Sequence, residues 1–86
     1  MKFARVFDVK RYNQIVMMKQ QNEEGEPVIS FFCQPDGMGV CSFSIGWGDD
    51  KTESMVETAF EKLVMREVIE IVDGWFKHMA AMEQKH

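Results

Sequence analysis

The chain has 86 residues, 45% of them hydrophobic and 28% charged, with a formal net charge of −4. That is the composition of one globular domain with a modest core, not of a disordered tail. No run of about 18 apolar residues exists to cross a bilayer, and Arg5, Asp8, Lys10 and Arg11 interrupt Met1–Met18 where a secretory signal needs an unbroken apolar block, so cytoplasmic residence is the expectation.

From the N-terminus, Phe3, Arg5, Phe7 and Val9 alternate with Ala4, Val6 and Asp8, and period two marks a strand with one dry face. Lys10–Asn13 reads as a turn. Ile15–Gln20 has two readings. Its Met, Gln and Lys residues suit a helix over 11–22, but it leads through the polar loop Gln21–Pro27 into the clear strand Val28–Gln34, as the first arm of a hairpin does. Pro35-Asp36-Gly37-Met38-Gly39 supplies turn chemistry, since proline presets φ and glycine takes positive φ at little cost. Val40–Trp47 sets Cys41, Phe43, Ile45 and Trp47 against Ser42, Ser44 and Gly46, the strongest strand pattern in the chain. A symmetric Pro35–Gly39 loop places Cys33 opposite Cys41, Phe31 opposite Phe43 and Ile29 opposite Ile45, all on one apolar face. In a reducing compartment the cysteines are expected as free thiols rather than a disulfide, and they lack the C-x-x-C knuckle of a zinc site.

Near Ser54 the apolar rhythm changes to steps of three and four, which is helical. Ser54 reads as the N-cap and Glu57, three residues on, as its capping-box partner. Val56, Ala59, Phe60, Leu63 and Val64 form one apolar face. From Met65 onward the apolar set is wider, and its centre is displaced by roughly a third of a turn. Along the narrow polar stripe, Arg66 can pair with Glu70 and Asp73 with Lys77. An unbroken helix over 54–82 would run about 43 Å, against a diameter of roughly 30 Å for a domain of this size. It must break, with Asp73-Gly74 the natural place, or overhang the sheet. The expected architecture is therefore a single α+β domain over 1–86: an antiparallel β-meander of three to four strands within 3–47 and a long C-terminal helical segment, 54–82, packed on one face.

No constellation announces a reaction. His78 has no metal ligand at helical spacing, and His86 is terminal. Ser42 and Ser44 lack a nucleophile elbow, and the two Gly-x-Gly segments lack the third glycine and the lysine of a phosphate loop. Asp49, Asp50 and Glu53 do not follow a calcium loop. The expectation is a non-enzymatic protein with no cofactor and no metal.

Charge is unevenly spread. Residues 1–20 carry a net +4, from Lys2, Arg5, Lys10, Arg11 and Lys19 against Asp8, whereas residues 21–61 carry a net −8. Two interaction surfaces follow. One is acidic, with Glu23, Glu24 and Glu26 in the hairpin loop and Asp49, Asp50, Glu53 and Glu57 at the head of the helix, and it would meet a protein with a basic surface. If that surface normally holds nucleic acid, the chain would compete for it, as virus-encoded inhibitors of host machinery do. The other is apolar, centred on Val68, Val72, Trp75, Phe76 and Met79, and implies a homodimer or an adaptor subunit. Direct nucleic-acid binding through the basic N-terminal residues and Phe3, Phe7 and Tyr12 is disfavoured by the acidic middle of the chain. A small-ligand-binding protein or an unrecognised enzyme is the remaining alternative.

Overall fold

The computed structural model describes residues 4–46 and 53–83, apart from the Glu53 side chain. Four strands, β1 (Ala4–Val9), β2 (Asn13–Gln21), β3 (Pro27–Cys33) and β4 (Cys41–Ile45), precede two helices, α1 (Glu53–Lys62) and α2 (Met65–Glu83). The strands pair antiparallel in chain order, so the fold is an α+β meander with its helices on one face. The ambiguous segment after Tyr12 is a strand. A single 3-10 turn at Lys10–Tyr12 reverses the chain into it, and Asn13 takes the positive φ (63°) that ends that turn.

Turn chemistry sets the register. Met38 N–H donates to Pro35 O at 3.1 Å, with Gly37 at φ +79° where a type II turn calls for glycine. The pairs that follow are Cys33 with Cys41, Phe31 with Phe43 and Ile29 with Ile45, as a symmetric loop requires. At the other end, the Asn22 side-chain oxygen accepts from the N–H groups of Glu24 and Glu26, each at 2.9 Å, and closes the β2–β3 turn.

The core lies between the inward sheet face and the helices. Ile15, Met17, Ile29 and Phe31 are fully buried against Val56, Phe60, Val68 and Val72. Burying each side chain of this size is worth about 1.5–3 kcal/mol, so the helix layer is held chiefly by this contact.

The helical segment breaks at Leu63–Val64, not at Asp73-Gly74. The two apolar stripes are out of phase, so one straight helix cannot press both onto the sheet; two residues without helical geometry reset the rotation. Leu63 N–H still bonds Ala59 O at 3.0 Å, and Val68 N–H to Val64 O, also 3.0 Å, belongs to the new helix. Glu67 Oε1 accepts the Val64 N–H at 3.1 Å, which caps the start of α2. Gly74 remains helical and exposed, because Val72 behind it is fully buried and Trp75 and Phe76 are stacked on other rings. Their packing outweighs a glycine penalty of about 1 kcal/mol. The helical segment also overhangs: residues 77–83 are exposed without interruption.

The start of α1 differs in detail from the expected capping box. Glu53 is already helical, so Ser54 lies inside the first turn, and Glu57 pairs with Lys19 of β2 at 3.7 Å.

Candidate interaction surfaces

The register brings part of the acidic set together. Lys19, Ile29 and Ile45 lie side by side across β2, β3 and β4, and the Asn22–Glu26 turn projects just beyond them. Glu57 reaches Lys19, so the head of α1 sits at the same end of the sheet. Glu23 and Glu24 are exposed there, Glu26 is half-buried, and the Asn22 amide donates to Glu26 Oε1 at 3.2 Å. Asp49, Asp50 and the Glu53 side chain lie outside the described residues.

Two of the N-terminal cations are turned towards the helix layer, while Lys10 and Arg11 are exposed. Arg5 and Lys19 occupy inward positions of their strands, in phase with Phe7 and Met17. Arg5 Nη1 donates to Phe60 O and Leu63 O, both at 2.7 Å, and supplies a cation to the carbonyl end of α1. Its guanidinium also lies 5.0 Å from the Phe7 ring centroid. Lys19 Nζ lies 5.3 Å from the Phe60 ring centroid as well as beside Glu57. Arg11 Nη2 bonds Asp73 Oδ2 at 2.6 Å. Asp73 is thus paired with a residue 62 positions away in sequence, and the Lys77 charge also acts on its carboxyl.

Asp73 also accepts the Tyr12 hydroxyl hydrogen bond. The Arg11 bond first, and then the Tyr12 bond, hold the Asp73 carboxyl below the ordinary carboxylate range. Burial, followed by the Asp73 contact, raises the Tyr12 phenol, and the Asp73 bond raises the Arg11 guanidinium. The cluster fastens the 3-10 turn to the middle of α2.

A run of rings completes that attachment. Phe31 stacks on Phe43 (centroids 5.0 Å apart), Phe43 on Trp75 (4.7 Å), and Tyr12 on Phe76 (5.6 Å); Trp75 and Phe76 meet edge to face at 4.9 Å. The apolar surface expected on α2 is therefore divided. Val68 and Val72 are core residues with no exposed surface, a correction that follows from the phase reset placing them over the sheet. Trp75 and Phe76 are half-buried in the ring run. Met79, 39% exposed, and Met82, 51% exposed, remain on the free end of the helix. Tyr12 is buried and unavailable for base stacking; Phe7 is half-buried beneath Arg5, and Phe3 lies outside the described residues.

Cys33 and Cys41 are free thiols, the first buried and the second half-buried, with Cys41 Sγ 3.6 Å from Gly39 O. Burial, with a smaller contribution from Cys41, raises the Cys33 thiol. Among the described residues, no three His, Cys, Asp or Glu side chains converge as a metal site would require, and no helix is long and apolar enough to cross a membrane. His78 is exposed.

The outward face of the sheet is a surface that helical periodicity does not reveal. No described element covers Val6, and a depression of about 290 Å³, open to solvent, lies over Val16 and Phe32 between Gln14, Gln34 and Val40. Its signal in the sequence is the apolar residue at an even position of an alternating strand: Val6, Val16 and Phe32. Compared with protein-family models, with curated proteins and with solved structures, the chain matches none.

Proposed function

We propose that this protein is a non-enzymatic protein–protein interaction module whose acidic end docks on a basic surface of a larger partner. One observation carries the reading: the exposed Glu23–Glu24 turn and the Glu57 end of α1 share one end of the sheet, while Arg5, Arg11 and Lys19 are engaged within the fold. The distribution leaves negative charge facing outward at that end, where it steers encounter with a cationic surface. A regulator or inhibitor is the natural role, and a partner surface that otherwise holds nucleic acid would make the chain its competitor.

The test uses the full chain as bait, with and without Glu23→Lys and Glu24→Lys, in lysate at low and high salt. Both residues are exposed, so the variant should keep its circular-dichroism spectrum. The reading expects partners that are lost in the variant and released from the wild type by salt. Capture that is indifferent to both changes refutes it.

A second reading is assembly through the free end of α2. Its support is the exposed 77–83 stretch with Met79 and Met82, and Met79→Glu would abolish salt-resistant capture under it.

A further inference from the structure

Cys33 and Cys41 form the last pair of the β3–β4 ladder, directly opposed before the Pro35–Gly39 turn. They belong to the inward row of the hairpin, in which Phe31 is opposite Phe43 and Ile29 opposite Ile45. Partners in this row meet across the strands: the Phe31 and Phe43 rings, one pair along, stack with centroids 5.0 Å apart. Both thiols are free but unequal in access, Cys33 being 4% exposed and Cys41 half-buried. Burial raises the Cys33 thiol and Cys41 adds to that effect, so the two groups act on each other.

Backbone spacing suits a bond between them. Directly opposed residues of an antiparallel pair have Cα atoms about 4.5 or 5.5 Å apart, and both values lie within the roughly 4.4–6.8 Å spanned by disulfides. Their Cβ atoms lie about 4.5–5.5 Å apart, against about 3.5–4.5 Å across a disulfide, so closure draws the strands together by up to about 1 Å. The adjustment falls at the turn end of the ladder, beside Val40, which is 71% exposed. A bond closed against such strain is readily reopened by a thiol.

We propose that Cys33 and Cys41 are a reversible thiol–disulfide switch, which locks β4 to β3 when a small disulfide of the glutathione class is in excess. Cys41, the accessible thiol, attacks one sulfur of that disulfide as its thiolate. The small S–S bond breaks, one small thiol leaves, and Cys41 carries the other as a mixed disulfide. Cys33, as its thiolate, then attacks the Cys41 sulfur. The Cys33–Cys41 bond forms and the second small thiol leaves. Two electrons pass from the protein to the small disulfide, and the two thiol protons end on the two released thiols.

The lock has a defined reach. Among the described residues, β4 is an edge strand whose only ladder is with β3. Phe43, two residues beyond Cys41 on the same face, stacks on Trp75 of α2 at 4.7 Å. Fixing β4 at Cys41 therefore steadies one of the rings on which α2 rests. The pair lies at the end of β3 away from the acidic β2–β3 turn, so this inference and the docking function stand or fall independently.

The test equilibrates the full, reduced chain in mixtures of oxidised and reduced glutathione, folded in buffer and unfolded in urea. Acid quenching, alkylation and intact mass then separate the dithiol, the glutathione adduct and the internal disulfide. The internal disulfide should form in the folded chain with an equilibrium constant at least about tenfold above that of the unfolded chain, because the register holds the two sulfurs together. By linkage, the oxidised chain should melt at least about 5 °C higher than the reduced one. Excess reduced glutathione should return the dithiol. Cys33→Ala should stop at the Cys41 adduct, and Cys41→Ala should leave the buried Cys33 unmodified in the folded chain. The wild-type comparison requires neither variant to fold. A folded wild type that remains dithiol, stops at the adduct or closes no more readily than the unfolded chain overturns the proposal. A bond between two chains in place of the internal one overturns it too, and so does an internal bond that excess reduced glutathione cannot reopen.

Discussion

Replacing Arg5 by methionine removes a side chain that hydrogen-bonds β1 to the carbonyl end of α1. The guanidinium makes two short hydrogen bonds, to Phe60 O and Leu63 O, each 2.7 Å. A hydrogen bond from a charged donor is worth about 1.5–3 kcal/mol net. The site is only partly buried and water can replace the donor there, so the low end applies and the pair together contributes about 2–3 kcal/mol. Methionine keeps most of the aliphatic stem over Phe7, which confines the loss to the donor and its charge. In a domain this small, 1 kcal/mol moves the melting temperature by about 4–8 °C, so Arg5→Met should lower it by roughly 10–20 °C. Urea unfolding followed by circular dichroism should give the same free-energy loss at an unchanged m-value. Amide exchange should rise first in the last turn of α1. Arg5→Lys should recover no more than half, because one ammonium lacks the planar fork that reaches both carbonyls. A loss below about 0.5 kcal/mol, the level of an ordinary surface substitution, would refute this account of the cap.

Three further outcomes follow from the same contacts. The Asp73 carboxyl is held low in the fold, so its contribution is present above the unfolded value near 4 and is lost as pH falls through the lower, folded value. Tyr12 has the opposite sign: its contribution is present below about 10 and is lost as pH rises through its raised value, so melting curves of wild type minus Asp73→Asn should be flat between these limits and fall away on both sides. Gly74→Ala should stabilise by about 0.5–1 kcal/mol in chemical denaturation, since an added Cβ meets nothing within 4 Å on an exposed helical site; a destabilised variant would show that the glycine has another purpose. In thiol titration of the folded chain Cys41 should react ahead of Cys33, and both should react after unfolding without reductant; absence of free thiol in the unfolded, unreduced chain would mean that the opposed pair had closed.

How far the sequence could be read depends on the range over which each signal acts. The register of β3 and β4 was accessible because a five-residue turn and strict alternation fix it locally, and the pairing of Cys33 with Cys41 follows. The position of the helix break required weighing two local signals. A glycine at 74 costs about 1 kcal/mol in a helix, whereas the change of phase at Met65 decides whether Val68 and Val72 can be buried at all. The phase signal is the stronger, and it marks Leu63–Val64. The Arg11–Asp73 and Tyr12–Asp73 contacts span more than 60 residues, and no periodicity carries information of that kind. The acidic surface was readable as composition only. Among the described residues, Glu57 comes to the end of the sheet that carries the β2–β3 turn because α1 lies beside Lys19.

One sequence feature bears on both the fold and the proposed surface. Arg5 and Lys19 fall in phase with the apolar residues of their strands, so each must direct a cation towards the helix layer or break the alternation. A cation placed on a dry face needs an acceptor, and both receive one from the α1 segment: Arg5 bonds the carbonyls where the helix ends, and Lys19 meets Glu57 in its middle and the Phe60 ring. Two strands thus hold one short helix, at its middle and at its end. A ten-residue helix is marginal by itself in water, so these contacts and the burial of Val56 and Phe60 are what keep it formed. The same arrangement engages two of the N-terminal cations, Arg5 and Lys19, with α1. Glu23 and Glu24 are exposed at the end of the sheet where Lys19 is taken up by Glu57.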